Sequence, residues 1–239
     1  MFALPSDVSS GVAVIVVDDT GENSIIVTPG ANAHLTPADI DAAEPIIAGA
    51  ACVMLQLETP YETIAHAIEL CRRLGVYTIL DPAPAPAAMP EVFYRVDLLT
   101  PNQAEARTLL GMGRGASDDI VVGKRLLKRG ARAVVLKLGS DGAMFLDAQG
   151  QITRVPAFAI TAVDTTAAGD AFNAGLAVGL SEKMDISSAL RFAGAAGALA
   201  CTCMGAQPSL PTRAAVEGLM GEQSRGVPPR TGPTRPGSD

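Results

Sequence analysis

Two aspartates bracket a run of small residues in "DTTAAGDAF", residues 164–172, just before an apolar, helix-like stretch, "NAGLAVGL". A helix that begins near Ala168 has first-turn N–H groups without intrahelical partners, and its dipole gathers partial positive charge there. Small residues at Ala167, Ala168 and Gly169 let an anion come close to those donors, which makes the corner a candidate phosphate cradle. Asp170 follows at once. A carboxylate beside a bound phosphate is repulsive unless it faces something else, such as a hydroxyl about to attack. That arrangement suits phosphoryl transfer, where positioning and charge stabilisation carry most of the catalysis. The same residues also read as a tight turn into a helix whose first-turn acid complements the dipole.

Such a corner needs a framework to hold it. The 239 residues are 48% hydrophobic and 18% charged, enough for one large core or two small ones. A formal charge of −7 argues against non-specific nucleic-acid binding, which calls for a basic face. No uncharged apolar run reaches the ~18 residues of a membrane span, and the N-terminus lacks a basic leader, so a cytoplasmic protein without a membrane role is expected. None of the four cysteines forms a C-x-x-C pair, and His34 and His66 are the only imidazoles. Cys52, Cys71, Cys201 and Cys203 are therefore expected as buried or partly buried free thiols rather than zinc ligands.

Residues 11–32, "GVAVIVVDDTGENSIIVTPGAN", carry two β-rich runs around a turn and read as a hairpin. Strand-like and helix-like segments then alternate. "ACVMLQL" reads as a buried strand, and "PYETIAHAIELCRRLG" as a helix starting at Pro60 and ending at Gly75. "VYTILD" and "VDLLT" read as strands, "NQAEARTLLG" as a short helix, "SDDIVVGKRLLKRG" as a helix capped by Ser117 or Asp118, and "AVVLKLG" as a strand. Alternation of this kind predicts right-handed β-α-β crossovers and an α/β sandwich, with helices on both faces of a largely parallel sheet. Ligands of open parallel sheets bind beyond the carboxyl ends of the strands, where "DPAPA", "TPN" and "LGSDG" fall. The last residues, "QSRGVPPRTGPTRPGSD", are too poor in aliphatic side chains to offset their ordering entropy, so a disordered tail is expected over 223–239.

Four stretches, in order, are similar to the motifs of the ribokinase-like (PfkB) family of carbohydrate kinases. "TPNQAEA" resembles its N-x-x-E motif and "KLGSDGAMF" its nucleotide-contacting strand-turn-strand. "VDTTAAGDAF" resembles its C-terminal signature, and "MGAQPSLP" resembles the ribokinase branch in particular. Ala167 stands where many members have Gly. The resemblance implies a three-layer α/β/α ribokinase-like fold and an enzyme that uses ATP to phosphorylate a sugar, D-ribose foremost. Another sugar, a nucleoside or a non-catalytic nucleotide-binding role stays open.

By the same resemblance, Asp170 is the catalytic base and the amides of Ala167, Ala168 and Gly169 form the anion hole. Asn102 contacts the nucleotide phosphates. Leu138, Gly139, Ser140, Asp141, Gly142 and Ala143 line the ATP site, with Gly194 near the adenine. Glu105 helps hold Mg²⁺, through water as suits an ion that dehydrates reluctantly. Asp164, Ser209 and carbonyls near Thr166, Ala200, Cys203 and Gly205 would hold K⁺, all of them oxygen donors. Glu58 would touch the sugar.

The resemblance also assigns regions. Residues 11–28 match part of a β-hairpin lid, through which a homodimer could form, and 29–222 the catalytic and nucleotide-binding domain. The family's first β-α-β units, its sugar-binding aspartate and its Gly-Gly motif have no counterpart in this sequence. An N-terminally truncated version of the fold is therefore expected, with nucleotide binding retained and sugar turnover weak.

Overall fold

The computed structural model describes residues 8–17, 23–113 and 118–224. The expected tail therefore lies outside the described residues from 225 onward, and so does Ser117, one of the two candidate helix caps.

Strands β1 (Val12–Val17) and β2 (Asn23–Thr28) pair antiparallel, with Val12 opposite Thr28 and Val14 opposite Ile26. They form a two-stranded sheet of their own. Among the described residues, Val12, Val14 and Ile26 are exposed on one face and Val27 on the other. Two short helices follow, α1 (Pro37–Ala42) and α2 (Glu44–Ala48). Thr36 and Asp39 start α1 with reciprocal side-chain-to-backbone bonds, which satisfy two otherwise orphaned N–H groups.

The main sheet has six strands in chain order: β3 (Cys52–Leu55), β4 (Tyr77–Leu80), β5 (Leu98–Leu99), β6 (Ala133–Lys137), β7 (Ala143–Asp147) and β8 (Ile152–Val155). Pairing is parallel from β3 through β6 and antiparallel from β6 through β8. The expectation of a largely parallel sheet thus holds for its first half. The second half turns back because only five residues separate β6 from β7 and four separate β7 from β8, too few for a crossover.

Helices cover both faces. On one lie α3 (Tyr61–Leu74), α4 (Gln103–Leu109) and α5 (Asp119–Lys128); on the other lie α6 (Ala168–Ser181), α7 (Ile186–Ala200) and α8 (Arg213–Ser224). The two-residue period of β6 divides its side chains between them. Val134 and Leu136 pack with Ile64, Ile68 and Leu126, whereas Ala133 and Val135 pack with Phe172, Leu176 and Leu190. Helix α3 ends as its sequence predicts, on Gly75 in the left-handed region, and α5 begins on Asp118, whose carboxylate accepts from the Ile120 amide. Helices α6 and α7 meet through small residues: a Cβ on Gly175 would stand 3.0 Å from the Ala193 backbone. On the thiols, Cys71 is buried and Cys52 and Cys201 are partly buried, but Cys203 is exposed, because it lies on the loop beyond α7 rather than in the helix.

The turn between β6 and β7 contains two glycines with different duties. Gly142 has φ +90° and ψ −129°, and a Cβ there would fall 2.0 Å from the Val155 carbonyl oxygen. Gly139 has φ +59° with nothing within 4 Å of an added Cβ. Gly142→Ala is therefore expected to lower the unfolding free energy by roughly 3 kcal/mol or more, and Gly139→Ala by only about 1 kcal/mol. Urea unfolding of the two variants checks the order.

Candidate active site

The carboxyl ends of β3, β4 and β6 and the start of α6 converge at one edge of the sheet. There a cavity of about 190 Å³ is lined by Met54, Leu55, Gln56, Ile79, Asp81, Asp170 and Asn173. A larger, open hollow of about 540 Å³ lies along α3, but its arginines are already paired, Arg72 with Glu69 and Arg73 with Glu44.

Helix α6 begins on an unusual residue. Ala167, its N-cap, has φ +59°, the left-handed region that an alanine enters at a cost of about 1–2 kcal/mol. The first regular bond of the helix runs from the Ala171 amide to the Ala167 carbonyl at 2.9 Å. The Ala168 amide is spent locally, donating to the Thr165 carbonyl at 3.2 Å. This departs from the expectation that the Ala167, Ala168 and Gly169 amides would all be open. Among the described residues, the amides of Ala167, Gly169 and Asp170 have no hydrogen-bond acceptor, and they are the donors this corner can offer an anion.

Neighbouring elements hold the corner in place. Asp164 closes the loop ahead of it, with Oδ1 accepting from the Thr166 amide (2.9 Å) and hydroxyl (2.7 Å) and Oδ2 accepting from the Gly205 amide (2.8 Å). These contacts, the Thr166 hydroxyl first, hold the Asp164 carboxyl below the ordinary range. The Cys201 carbonyl at the end of α7 accepts from the Val163 and Asp164 amides. Gly197 lets α7 pass close by: a Cβ there would lie 3.1 Å from the Ala168 carbonyl oxygen.

Asp170 is exposed at the cavity, and its Oδ1 accepts from Gln56 Nε2 at 3.0 Å. One helical turn on, Asn173 is buried and donates through Nδ2 to Asp81 Oδ2 at 2.5 Å. Lys137, the last residue of β6, shares the face of Ala133 and Val135 by strand period and donates to the same Asp81 oxygen at 2.7 Å. Desolvation pushes the Asp81 carboxyl up, against the pull of the Lys137 charge and these hydrogen bonds.

The expected nucleotide residues divide between site and scaffold. Asn102 caps α4, with Oδ1 accepting from the Glu105 amide (2.8 Å) while Glu105 Oε2 accepts from the Asn102 amide (2.7 Å). Burial raises the Glu105 carboxyl, partly offset by its bond from Asn102 and the Lys137 charge. A backbone bridge joins Asn102 to Lys137, so this cap sits beside the end of β6. Gly139, Ser140 and Asp141 form a short 3-10 turn, whereas Leu138 and Ala143 are buried in the core. Gly194 on α7 faces the Phe158 ring.

Of the expected cation ligands, Asp164 and Gly205 are brought together and Thr166 joins them. The Ala200 carbonyl accepts from the Cys203 amide at 3.4 Å, and the buried Ser209 hydroxyl donates to the Ala206 carbonyl at 2.7 Å. Glu58 is exposed two residues beyond Gln56. Among the described residues no three His, Cys, Asp or Glu side chains cluster as a metal cage.

Gln56, Asp81, Lys137 and Asn173 are absent from the sequence-based set. Each had one available signal: the first three stand within the last three residues of predicted strands, and Asn173 is three residues from Asp170 on a helix.

A sequence model of the "pfkB family carbohydrate kinase" matches residues 5–213. A ribokinase of Haemophilus influenzae is 37% identical over 205 residues, covering 85% of this chain and 67% of the relative. A deoxyribokinase of Salmonella typhi is 36% identical over 206 residues with the same coverages, 85% and 67%. Among solved structures, Arabidopsis thaliana ribokinase complexed with ribose and ATP matches with a TM-score of 0.80 at 30% identity, over 90% of this chain and 70% of that one. The chain thus spans about two thirds of the length of these relatives.

The two perturbed carboxyls give opposite pH signatures. Asp164 is lowered, so its contribution to stability is present above 3.8 and is lost as pH falls through its folded value. Glu105 is raised, so its contribution is present below 4.5 and is lost as pH rises through its folded value. Carboxyl NMR titration is expected to find Asp164 below 3.8 and Glu105 above 4.5. Asp164 at or above 3.8 would mean that its loop contacts do not persist in solution, and Glu105 at or below 4.5 that its burial does not.

Proposed function

The chain belongs to the pfkB family of carbohydrate kinases, and from that membership we propose that it transfers the terminal phosphoryl group of ATP to the primary hydroxyl of a sugar, D-ribose giving D-ribose 5-phosphate. One observation carries the reading: amides at the start of α6 that lack an acceptor among the described residues, and the Asp170 carboxylate, border the same end of the sheet.

In this mechanism the Ala167, Gly169 and Asp170 amides hold the travelling phosphoryl oxygens, and the α6 dipole favours their charge. Asp170, steadied through Oδ1 by Gln56, accepts the proton of the attacking hydroxyl. Orientation matters more than basicity here, since the transition state is loose and the proton leaves late. The turn of Gly139, Ser140 and Asp141, with Gly142, Gly194 and the Asn102 cap, borders the nucleotide, while Leu138 and Ala143 support that turn from the core. Glu58 is an exposed contact for the sugar.

Glu105 fits a role toward Mg²⁺: a single carboxylate beside substrate phosphates suits an ion that keeps most of its water. Bound there, the ion would neutralise phosphate charge. Asp164 and Thr166 ahead of α6, joined to Gly205, offer oxygens for K⁺ with Ala200, Cys203 and Ser209 of the segment that ends and follows α7, and the ion would steady the corner from behind. The apolar surface of the β1–β2 hairpin supports its use as a lid and as a homodimer contact.

The near-equal identity to a ribokinase and a deoxyribokinase makes 2-deoxyribose the competing acceptor. Coupled ADP-release assays with ribose, 2-deoxyribose and fructose, in K⁺ and in Na⁺, separate these. Ribose is expected to give the highest kcat/KM, with K⁺ stimulating. Asp170→Asn is expected to lower turnover by about 10²–10⁴-fold while calorimetry still detects ATP binding. Undiminished turnover in that variant would remove Asp170 from its role, and sugar-independent ADP release would contradict the kinase reading.

A further inference from the structure

Lys137 stands among three carboxylates and the start of α6. Its ammonium donates to Asp81 Oδ2 at 2.7 Å and feels the charge of Glu105, while Asp81 in turn feels Asp170. A Cβ built on Gly169 would lie 3.5 Å from Lys137 Nζ, so the ammonium borders one of the unpartnered amides. An ammonium has three donors, and among the described residues Asp81 Oδ2 is the one acceptor it reaches.

As a stabilising device the cluster is poorly made. A buried ion pair must offset the desolvation of both partners, and here the lysine side chain is 14% exposed and the aspartate 7%. Asp81 Oδ1 and Asn173 Oδ1 are buried without a hydrogen-bond partner among the described residues, and both residues line the cavity with Asp170. Buried polar atoms left in this state commonly mark a functional site. Three acids at one strand edge would also oppose a polyphosphate unless a fixed cation offset them.

We propose that Lys137, held by Asp81, is a phosphate-binding cation of this site and contacts the terminal phosphoryl group of the nucleotide. The proposal rests on the phosphoryl-transfer reading above and adds a residue to it. Asp81 and Asn173 are positioning residues: Asp81 holds the lysine ammonium, Asn173 holds Asp81, and two ammonium donors are left for a phosphate beside the Gly169 amide.

Calorimetry with β,γ-imido-ATP, ADP and AMP in magnesium buffer tests it. Lys137→Met is expected to weaken the ATP analogue by roughly tenfold or more, the range of a charged hydrogen bond, while leaving AMP unchanged. Because the single variant strands a buried carboxylate, the double variant Asp81→Asn/Lys137→Met provides the same comparison in a neutral pocket. Asp81→Asn alone is expected to keep the preference for the ATP analogue over AMP. Equal weakening of all three nucleotides, or none, would overturn the proposal, as would a loss in Asp81→Asn as large as in the double variant. Failure of the unaltered protein to bind any of the three would overturn both the proposal and the transfer reading.

Discussion

A helix that opens on a left-handed alanine accepts a local cost, and the surrounding chain must be arranged to hold it there. Ala167 makes the backbone turn so that its own amide and those of Gly169 and Asp170 are left without acceptors among the described residues, beyond the carboxyl ends of the parallel strands. Relaxing that corner would require breaking the bonds of Asp164 to Thr166 and Gly205 and moving α7 away from Ala168. The small residues along α6 and α7 thus have a consequence beyond packing. They let α7 approach closely enough for the Cys201 carbonyl and the Gly205 amide to pin the loop that sets up the start of α6.

The sheet supplies the other half of the constraint. Residues far apart in the chain, Gln56, Asp81 and Lys137, meet because each ends or follows a strand of one sheet, and a parallel arrangement puts those ends on one edge. Helix α6 crosses that edge with Asp170 and Asn173 one turn apart, so one carboxylate is exposed at the cavity while the amide below it is buried. The change to antiparallel pairing after β6 brings the Gly139–Asp141 turn to the end where β6 delivers Lys137.

Much of this was legible in the sequence, for identifiable reasons. Helix α3 declared itself through its apolar spacing and Gly75, the hairpin through its two β-rich runs, and the α6 corner through its small residues followed by an acid. Asn102 and Glu105 fit two descriptions at once, since the spacing that suits a phosphate and metal pair also makes a capping box, and their bonds are those of the cap. Lys137 and Asp81 lie within predicted strands and carry no motif of their own. Each is a single charge with no local pattern, and only the strand order brings residues 56 positions apart into contact. The spent Ala168 amide was also out of reach, because it depends on the Thr165 carbonyl turning inward, a backbone detail that composition does not encode.

The corner near Ala167 can be tested as a receiver of the phosphoryl group by crystallising the protein with ADP, magnesium and aluminium fluoride, a mimic of the group in flight. The fluoroaluminate is expected within hydrogen-bond reach of the Ala167 and Gly169 amides, with Asp170 on its far side from ADP. Density for it elsewhere, with those amides turned to solvent or to other protein groups, would contradict the assignment of this corner as the phosphoryl site.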